Sequence, residues 1–209
     1  MDLGLIFIIL IFLFSVILHE VAHGYAADAM GDPTPRLAGR LSLNPLRHLD
    51  FFGSFLLPLF LIISRAGFVF GWAKPVPINP YNFNDQKYGR LKVGVAGVSV
   101  NFLLAFLFGL PIRFLPQNIL FFKNLTTFFG YIVAVNLVLG IFNLFPLPPF
   151  DGSHIVTNFF PSFERKIMGN PGLQIVSMFL AVFFLMFIGF PYIIQPLFKL
   201  ITGISILGL

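Results

Sequence analysis

Residues 3–26 read LGLIFIILIFLFSVILHEVAHGYA, an apolar run with a titratable triplet near its C-terminal end. A helix crossing the hydrocarbon layer of a bilayer needs about 20 predominantly apolar residues, so this run is long enough to span it. The triplet lies within His19-Glu20-Val21-Ala22-His23. Positions i and i+4 of a helix share one face, so His19 and His23 can grip one metal ion. Glu20, on the adjacent flank, can polarise a metal-bound water. Ionisable groups inside a membrane helix are costly and point to a functional site. The stretch implies metal-dependent hydrolytic chemistry carried out within a membrane.

The bulk composition agrees. Of 209 residues, 57% are hydrophobic and 10% charged, and the mean hydropathy is +0.92. Soluble domains carry about a quarter charged residues, so too little polar surface exists to coat a water-soluble globule. The chain reads as an all-α polytopic membrane protein, and residues 1–209 read as a single integral-membrane domain. The net charge of +5 does not indicate nucleic acid, because no basic cluster alternates with aromatics. Without cysteine there is no thiolate ligand or nucleophile, so a metal must be held by His, Asp or Glu. A cleaved signal peptide is a poor reading of the first segment, since Met1-Asp2 lacks positive charge and the apolar stretch exceeds an ordinary h-region.

The pattern predicts about 5–6 transmembrane helices. The first should stop at Gly31-Asp32-Pro33. Arg36–Asn44, with Leu37, Leu41 and Leu43 partly spaced by two, reads as a short strand or hairpin at the membrane edge. Residues 51–72 are apolar but broken by Gly53, Pro58, Arg65 and Gly67, which fits a full span or a re-entrant hairpin. Gly71–Pro80 is too rich in proline for a helix and reads as extended backbone, with Trp72 suited to the interface. Residues 91–112 form a span whose Gly94, Ala96, Gly97, Ser99 and Asn101 suit close helix packing. Further spans are expected at 125–147 and about 173–190, and residues 192–208 make either another crossing or a surface segment.

Four His and two Glu in the whole chain make a chance His-Glu-x-x-His rare. Two histidines do not complete a catalytic zinc site, which takes three protein ligands and a water. Among the acids only Asp151 ends another span, after Pro146, Pro148 and Pro149. Taken alone, Asp-Gly after prolines is a turn; beside an incomplete two-histidine site, Asp151 becomes the candidate third ligand.

At these residues the chain resembles the site-2 protease family of intramembrane zinc metalloproteases, in its compact bacterial and archaeal form. The likeness rests on His19-Glu20-Val-Ala-His23 and on Asn143-Leu-Phe-Pro-Leu-Pro-Pro-Phe-Asp151-Gly152, similar to the family's Asn-x-x-Pro-x-Pro-x-Leu-Asp-Gly. Gly97-Val-Ser-Val-Asn101 is similar to the looser Gly-Pro-x-x-Asn, with Val98 in place of proline, and Phe150 stands where leucine is common. The resemblance implies one Zn2+ per chain held by His19, His23 and Asp151, with Glu20 as catalytic base. It also implies Asn101 and Asn143 as residues that bind substrate or stabilise the oxyanion, against the alternative that each merely ties helices together. The implied partner is a transmembrane protein substrate, met in the lipid bilayer, whose unwound segment could add to strand edges near Arg36–Asn44 or Trp72–Asn79. His48 and His154 read as supporting residues.

Geometry constrains topology. The spans bearing His19/His23 and Asp151 both carry their ligands near their C-terminal ends, so they must run parallel with an odd number of crossings between them. Residues 91–112 supply one crossing, which makes 51–72 re-entrant. Ten Lys and Arg then fall on one side and only Arg113 and Lys123 on the other. The positive-inside rule puts the zinc site toward the cytoplasm of a cell-membrane protein. The competing classes are a metal-cation transporter with a His-lined path and a non-catalytic binder of membrane helices. The first would need paired ionisable groups on several spans, and there are few.

Overall fold

The computed structural model describes residues 3–56, 59–60, 63–64, 74–116, 118–160 and 170–206. Helix α1, Leu3–Ala29, stops where Gly31 takes φ 100° ahead of Asp32-Pro33. A helical turn α2, Thr34–Leu37, follows, and then long helices α3, Gly89–Ile112, and α4, Leu120–Asn143. A short α5, Gly152–Phe159, precedes α6, Pro171–Phe184. Wide π-type turns over Leu185–Ile194 lead into α7, Gln195–Thr202, which ends at Gly203 with φ 79°. No sheet forms among the described residues.

Four helices among the described residues are long and apolar enough to cross a membrane: α1, α3, α4 and the continuous run Gly172–Thr202. The expected 5–6 differ for two reasons. Residues 192–202 continue the helix before them rather than turning back as a separate crossing. Much of 51–72, Trp72 included, lies outside the described residues, of which Phe51–Leu56 forms a π-type helix. Outward side chains such as Phe12, Leu103 and Phe179 are exposed, as lipid-facing positions of a membrane protein must be.

Neighbouring contacts give the helix directions. Phe7 stacks edge-on against Phe128 at 5.9 Å, and Asn136 on α4 donates to Ser15 Oγ on α1 at 2.9 Å. Both pairs are offset by 121 positions, so α1 and α4 run parallel, as the ligand positions require. Helix α3 runs antiparallel to α1, meeting His23 at Val93 and His19 at Asn101. Beyond the site, Ala105 and Ile112 of α3 join Val133, Leu137 and Ile141 of α4 and Ile194, Phe198 and Ile201 in a buried apolar cluster. Arg113 closes that end by donating to the carbonyls of Ile201 and Leu200.

The segment between α1 and α3 returns to its starting point. Asn84 N donates to Met30 O and Asn79 N to Asp32 Oδ2, each at 2.7 Å. Residues 30–32 and 79–84 therefore lie together at one end of the helices, while the re-entrant reading of 51–72 falls largely outside the described residues. The strand expected at Arg36–Asn44 does not form. Asp32 Oδ1 accepts from Thr34 N, Pro35 suits a first helical turn, and Gly39 at φ 66° ends it. The spacing of Leu37, Leu41 and Leu43 is not that of a buried face, since Leu37 is 81% exposed.

Candidate metal centre

The His19 and His23 side chains leave the same face of α1 one turn apart and are both buried, and their Nε2 atoms lie 3.0 Å from each other. Asp151 Oδ2 lies 3.0 Å from His19 Nε2 and 3.2 Å from His23 Nε2. The structure thus brings together all three sequence-predicted ligands. Tetrahedral zinc with bonds of about 2.0–2.1 Å spaces its ligand atoms about 3.3 Å apart, close to these separations. The protonation pattern fits a cation as well. His23 Nδ1 lies 2.7 Å from Val93 O, which can only accept, so Nδ1 holds a proton and in the neutral imidazole the Nε2 lone pair faces inward. Asp151 Oδ2 is buried with no hydrogen-bond donor of its own. Lone pairs meeting at this distance are mutually repulsive unless a proton or a metal cation lies between them.

Asp151 reaches the site because α4 is stopped by prolines and the chain folds back tightly. The Pro148–Pro149 bond is cis, and Gly152 is pressed on the carbonyls of Leu144 and Phe145. A Cβ there would sit 2.6 Å from Phe145 O and closer still to Leu144 O. Phe150, where leucine is common in the family, packs edge-on against Phe142 and Phe145. Helix α3 forms the other wall. A Cβ on Gly97 would overlap His23 Nε2 and stand 2.6 Å from its Cε1 and 2.8 Å from His19 Cε1. Gly94 takes the His154 ring and Asp151 O in the same way. Val98 leaves α3 unbroken at that point.

Glu20 is half-buried beside the pair, and its Oε2 accepts the Val76 N–H at 2.9 Å. Val76 belongs to the extended run 74–79, which two charged side chains hold in place. Arg40, buried, donates to Lys74 O and Pro75 O at 2.9 Å. Asp32, fully buried, accepts from Asn79 N, Asn82 Nδ2 and both donors of Thr34. Burial opposes ionisation of Asp32, but these bonds outweigh it and hold its pKa below the usual carboxylate range. The extended backbone predicted over 74–79 is present, yet it does not offer the expected edge for β-addition. Lys74, Val76 and Asn79 donate inward to His48 O, Glu20 and Asp32, and Pro75 and Pro77 have no N–H. No continuous N–H ladder remains along that run.

The two asparagines part company. Asn101 is fully buried, with Oδ1 2.6 Å from His19 Nδ1 and Nδ2 donating to Asn136 Oδ1. Both ends of its amide are engaged within the protein, with His19 on α1 and Asn136 on α4. Asn143 donates to Leu139 O on its own helix. His48 is buried away from the histidine pair and bonds Ser42 O. Sequence reading missed Asn136, Ser15, Arg40 and Asp32. An amide in mid-span at Asn136 was the available signal, because a buried polar group in lipid must find a partner.

The sequence profile of peptidase family M50 matches residues 109–188. The candidate zinc metalloprotease YwhC of Bacillus subtilis is 36% identical over 182 residues, covering 85% of this chain and 80% of YwhC. The candidate zinc metalloprotease Rip2 of Mycolicibacterium smegmatis is 34% identical over 152 residues, covering 70% of this chain and 55% of Rip2. Rip2 of Mycobacterium tuberculosis (strain ATCC 25618 / H37Rv) is 30% identical, covering 83% of this chain and 64% of that protein. No solved structure matches significantly. With a buried His-His-Asp cluster among helices that cross a membrane, and relatives of this kind along most of its length, the chain belongs to peptidase family M50, the site-2 protease family of membrane zinc metalloproteases.

Proposed function

We propose that the protein is an intramembrane zinc endopeptidase that cuts peptide bonds within or near transmembrane segments of other membrane proteins, as in regulated intramembrane proteolysis. His19, His23 and Asp151 hold one zinc ion, and Glu20 is the base. The observation that carries this reading is the convergence of three buried ligand atoms within 3.2 Å.

Zinc bound there supplies Lewis acidity, which polarises a scissile carbonyl and acidifies water. Glu20 takes the proton of the attacking water and returns it to the leaving amine. The Val76 N–H fixes one of its carboxylate oxygens, leaving Oε1 for proton transfer. Arg40 and Asp32 hold the 74–79 backbone that supplies this N–H. The apolar helices around the site exclude bulk water, which strengthens each of these interactions. The positive charge on the loops at this end of α1 supports a cytoplasm-facing site.

The test is a purified zinc-loaded protein, a model transmembrane substrate and Glu20→Gln. Wild type should cut and the variant should lose at least about a hundredfold of the rate, the usual contribution of general acid–base catalysis. Cleavage that persists in the variant refutes Glu20 as base. Metal flux through vesicles without cleavage would favour a transporter instead.

A further inference from the structure

We propose that Asn136 on α4, acting through Asn101 on α3, sets which nitrogen of His19 faces the metal. The inference rests on His19 being a ligand. Unlike His23, His19 does not meet a backbone carbonyl. Its Nδ1 faces the Oδ1 of Asn101, an amide that could equally present its NH2 if turned over.

The chain of contacts removes that freedom. Ile132 O can only accept, so the Asn136 atom 2.9 Å from it must be Nδ2, whose second proton goes to Ser15 Oγ at 2.9 Å. Asn136 Oδ1 therefore points at Asn101 and takes the Nδ2 proton at 2.9 Å. Asn101 then has only Oδ1 left for His19, 2.6 Å away. His19 Nδ1 must donate, and in the neutral imidazole the Nε2 lone pair is turned toward Asp151 and His23. Asn101 and Asn136 are both fully buried, so no water can substitute for a missing link. Ligand histidines need a fixed partner on the second ring nitrogen, and loss of such partners typically costs about 10–100-fold in metal affinity. Asn136 is thus a positioning residue two bonds removed from the ligand.

Zinc affinity of the full-length protein in detergent, measured by chelator competition, tests this. Asn136→Leu removes the acceptor that orients Asn101 and should weaken zinc binding about 10–100-fold. Asn136→Asp should rescue it, because a protonated carboxyl can donate to Ile132 O and accept from Asn101 Nδ2 together. A packing role predicts the opposite order, with Leu tolerated and Asp not. Wild-type affinity in Asn136→Leu, or equal loss in both variants, overturns the proposal. Should either variant misfold, nitrogen-15 spectra of zinc-loaded wild type decide: His19 is expected metallated at Nε2 and protonated at Nδ1, and metallation at Nδ1 refutes the relay. His19→Ala separates the two levels of inference. Undiminished zinc binding there removes His19 as a ligand altogether, whereas loss there with none in Asn136→Leu removes only the relay.

Discussion

Replacing Gly97 by alanine adds one methyl group where α3 meets the histidine pair of the candidate metal centre. The new Cβ would overlap His23 Nε2 and lie 2.6 Å from His23 Cε1 and 2.8 Å from His19 Cε1, where ordinary contact begins at 3.4 Å. Relief requires a displacement of about 1 Å between α3 and the imidazoles, against a tolerance of about 0.2 Å in metal–ligand bonds. Overpacking of this kind costs about 1–3 kcal/mol, whereas alanine's better helix propensity offsets only about 1 kcal/mol. Turning the His23 ring instead breaks its 2.7 Å bond to Val93 O. Either route moves a ligand. Gly97→Ala should therefore bind zinc at least about tenfold more weakly and lose up to about 2 kcal/mol of stability. Chelator competition and thermal unfolding in detergent read both quantities. Gly140→Ala on α4 is the control, because the three atoms nearest its Cβ all belong to the Phe102 ring, at 3.1 Å and beyond. Wild-type zinc affinity in Gly97→Ala would refute the view that α3 sets the depth of the histidine pair.

Zinc should raise the stability of the wild-type protein by about 2.7 kcal/mol at a free concentration of 100 Kd, and Asp151→Ala should abolish that shift in a thermal melt. Arg40→Met removes the donor that ties down the carbonyls of Lys74 and Pro75; it should slow cleavage about tenfold or more while zinc affinity stays unchanged, and equal loss of both would contradict a role confined to the 74–79 run. Asp32 ionises below the usual carboxylate range, so the folded state binds fewer protons than the unfolded one at mildly acidic pH. Its contribution is present above the unfolded value near 3.9 and is lost as pH falls through the lower folded value. Asp32→Asn should therefore trail wild type by about 1–3 kcal/mol at pH 7, with the gap narrowing below about pH 4; a gap that is flat with pH would contradict the charged network.

The convergence of the three candidate ligands was legible because its chemistry is local and its alternatives are few. An i, i+4 histidine pair survives any packing arrangement, and Asp151 is the only acid that ends another span. The parallel course of α1 and α4 was legible for the same reason, since two ligand-bearing ends must meet at one depth. The small-residue face of α3 was only half legible. Gly94, Gly97 and Asn101 do turn into the site, but Ser99 is exposed, because composition marks a helix as closely packed without saying which rows pack. The Arg36–Asn44 strand failed because a period of two over three leucines was weighed above the turn chemistry of Asp32, Pro35 and Gly39. Asn136 and Arg40 escaped notice because their roles exist only across helices. Nothing within about twenty residues of either announces a partner at Asn101 or Lys74.

The register between α1 and α3 explains why Gly97 and Asn101 have the spacing they have. Val93, Gly97 and Asn101 stand at steps of four on α3, facing His23 and His19 at a step of four on α1. Antiparallel helices with equal steps repeat their contacts at each level, so each imidazole meets one partner and shares one gap. The gap must be glycine, for a Cβ at 97 would occupy the space of the His23 ring and cover the Val93 carbonyl one turn below, where a helical side chain four residues on ordinarily lies. Moving either helix by one residue rotates its face by about 100° and separates every pair at once. The two histidines supply a metal site only in this register, which the Gly97–Asn101 pair enforces: the glycine admits the rings to their depth and the amide fixes the turn of His19.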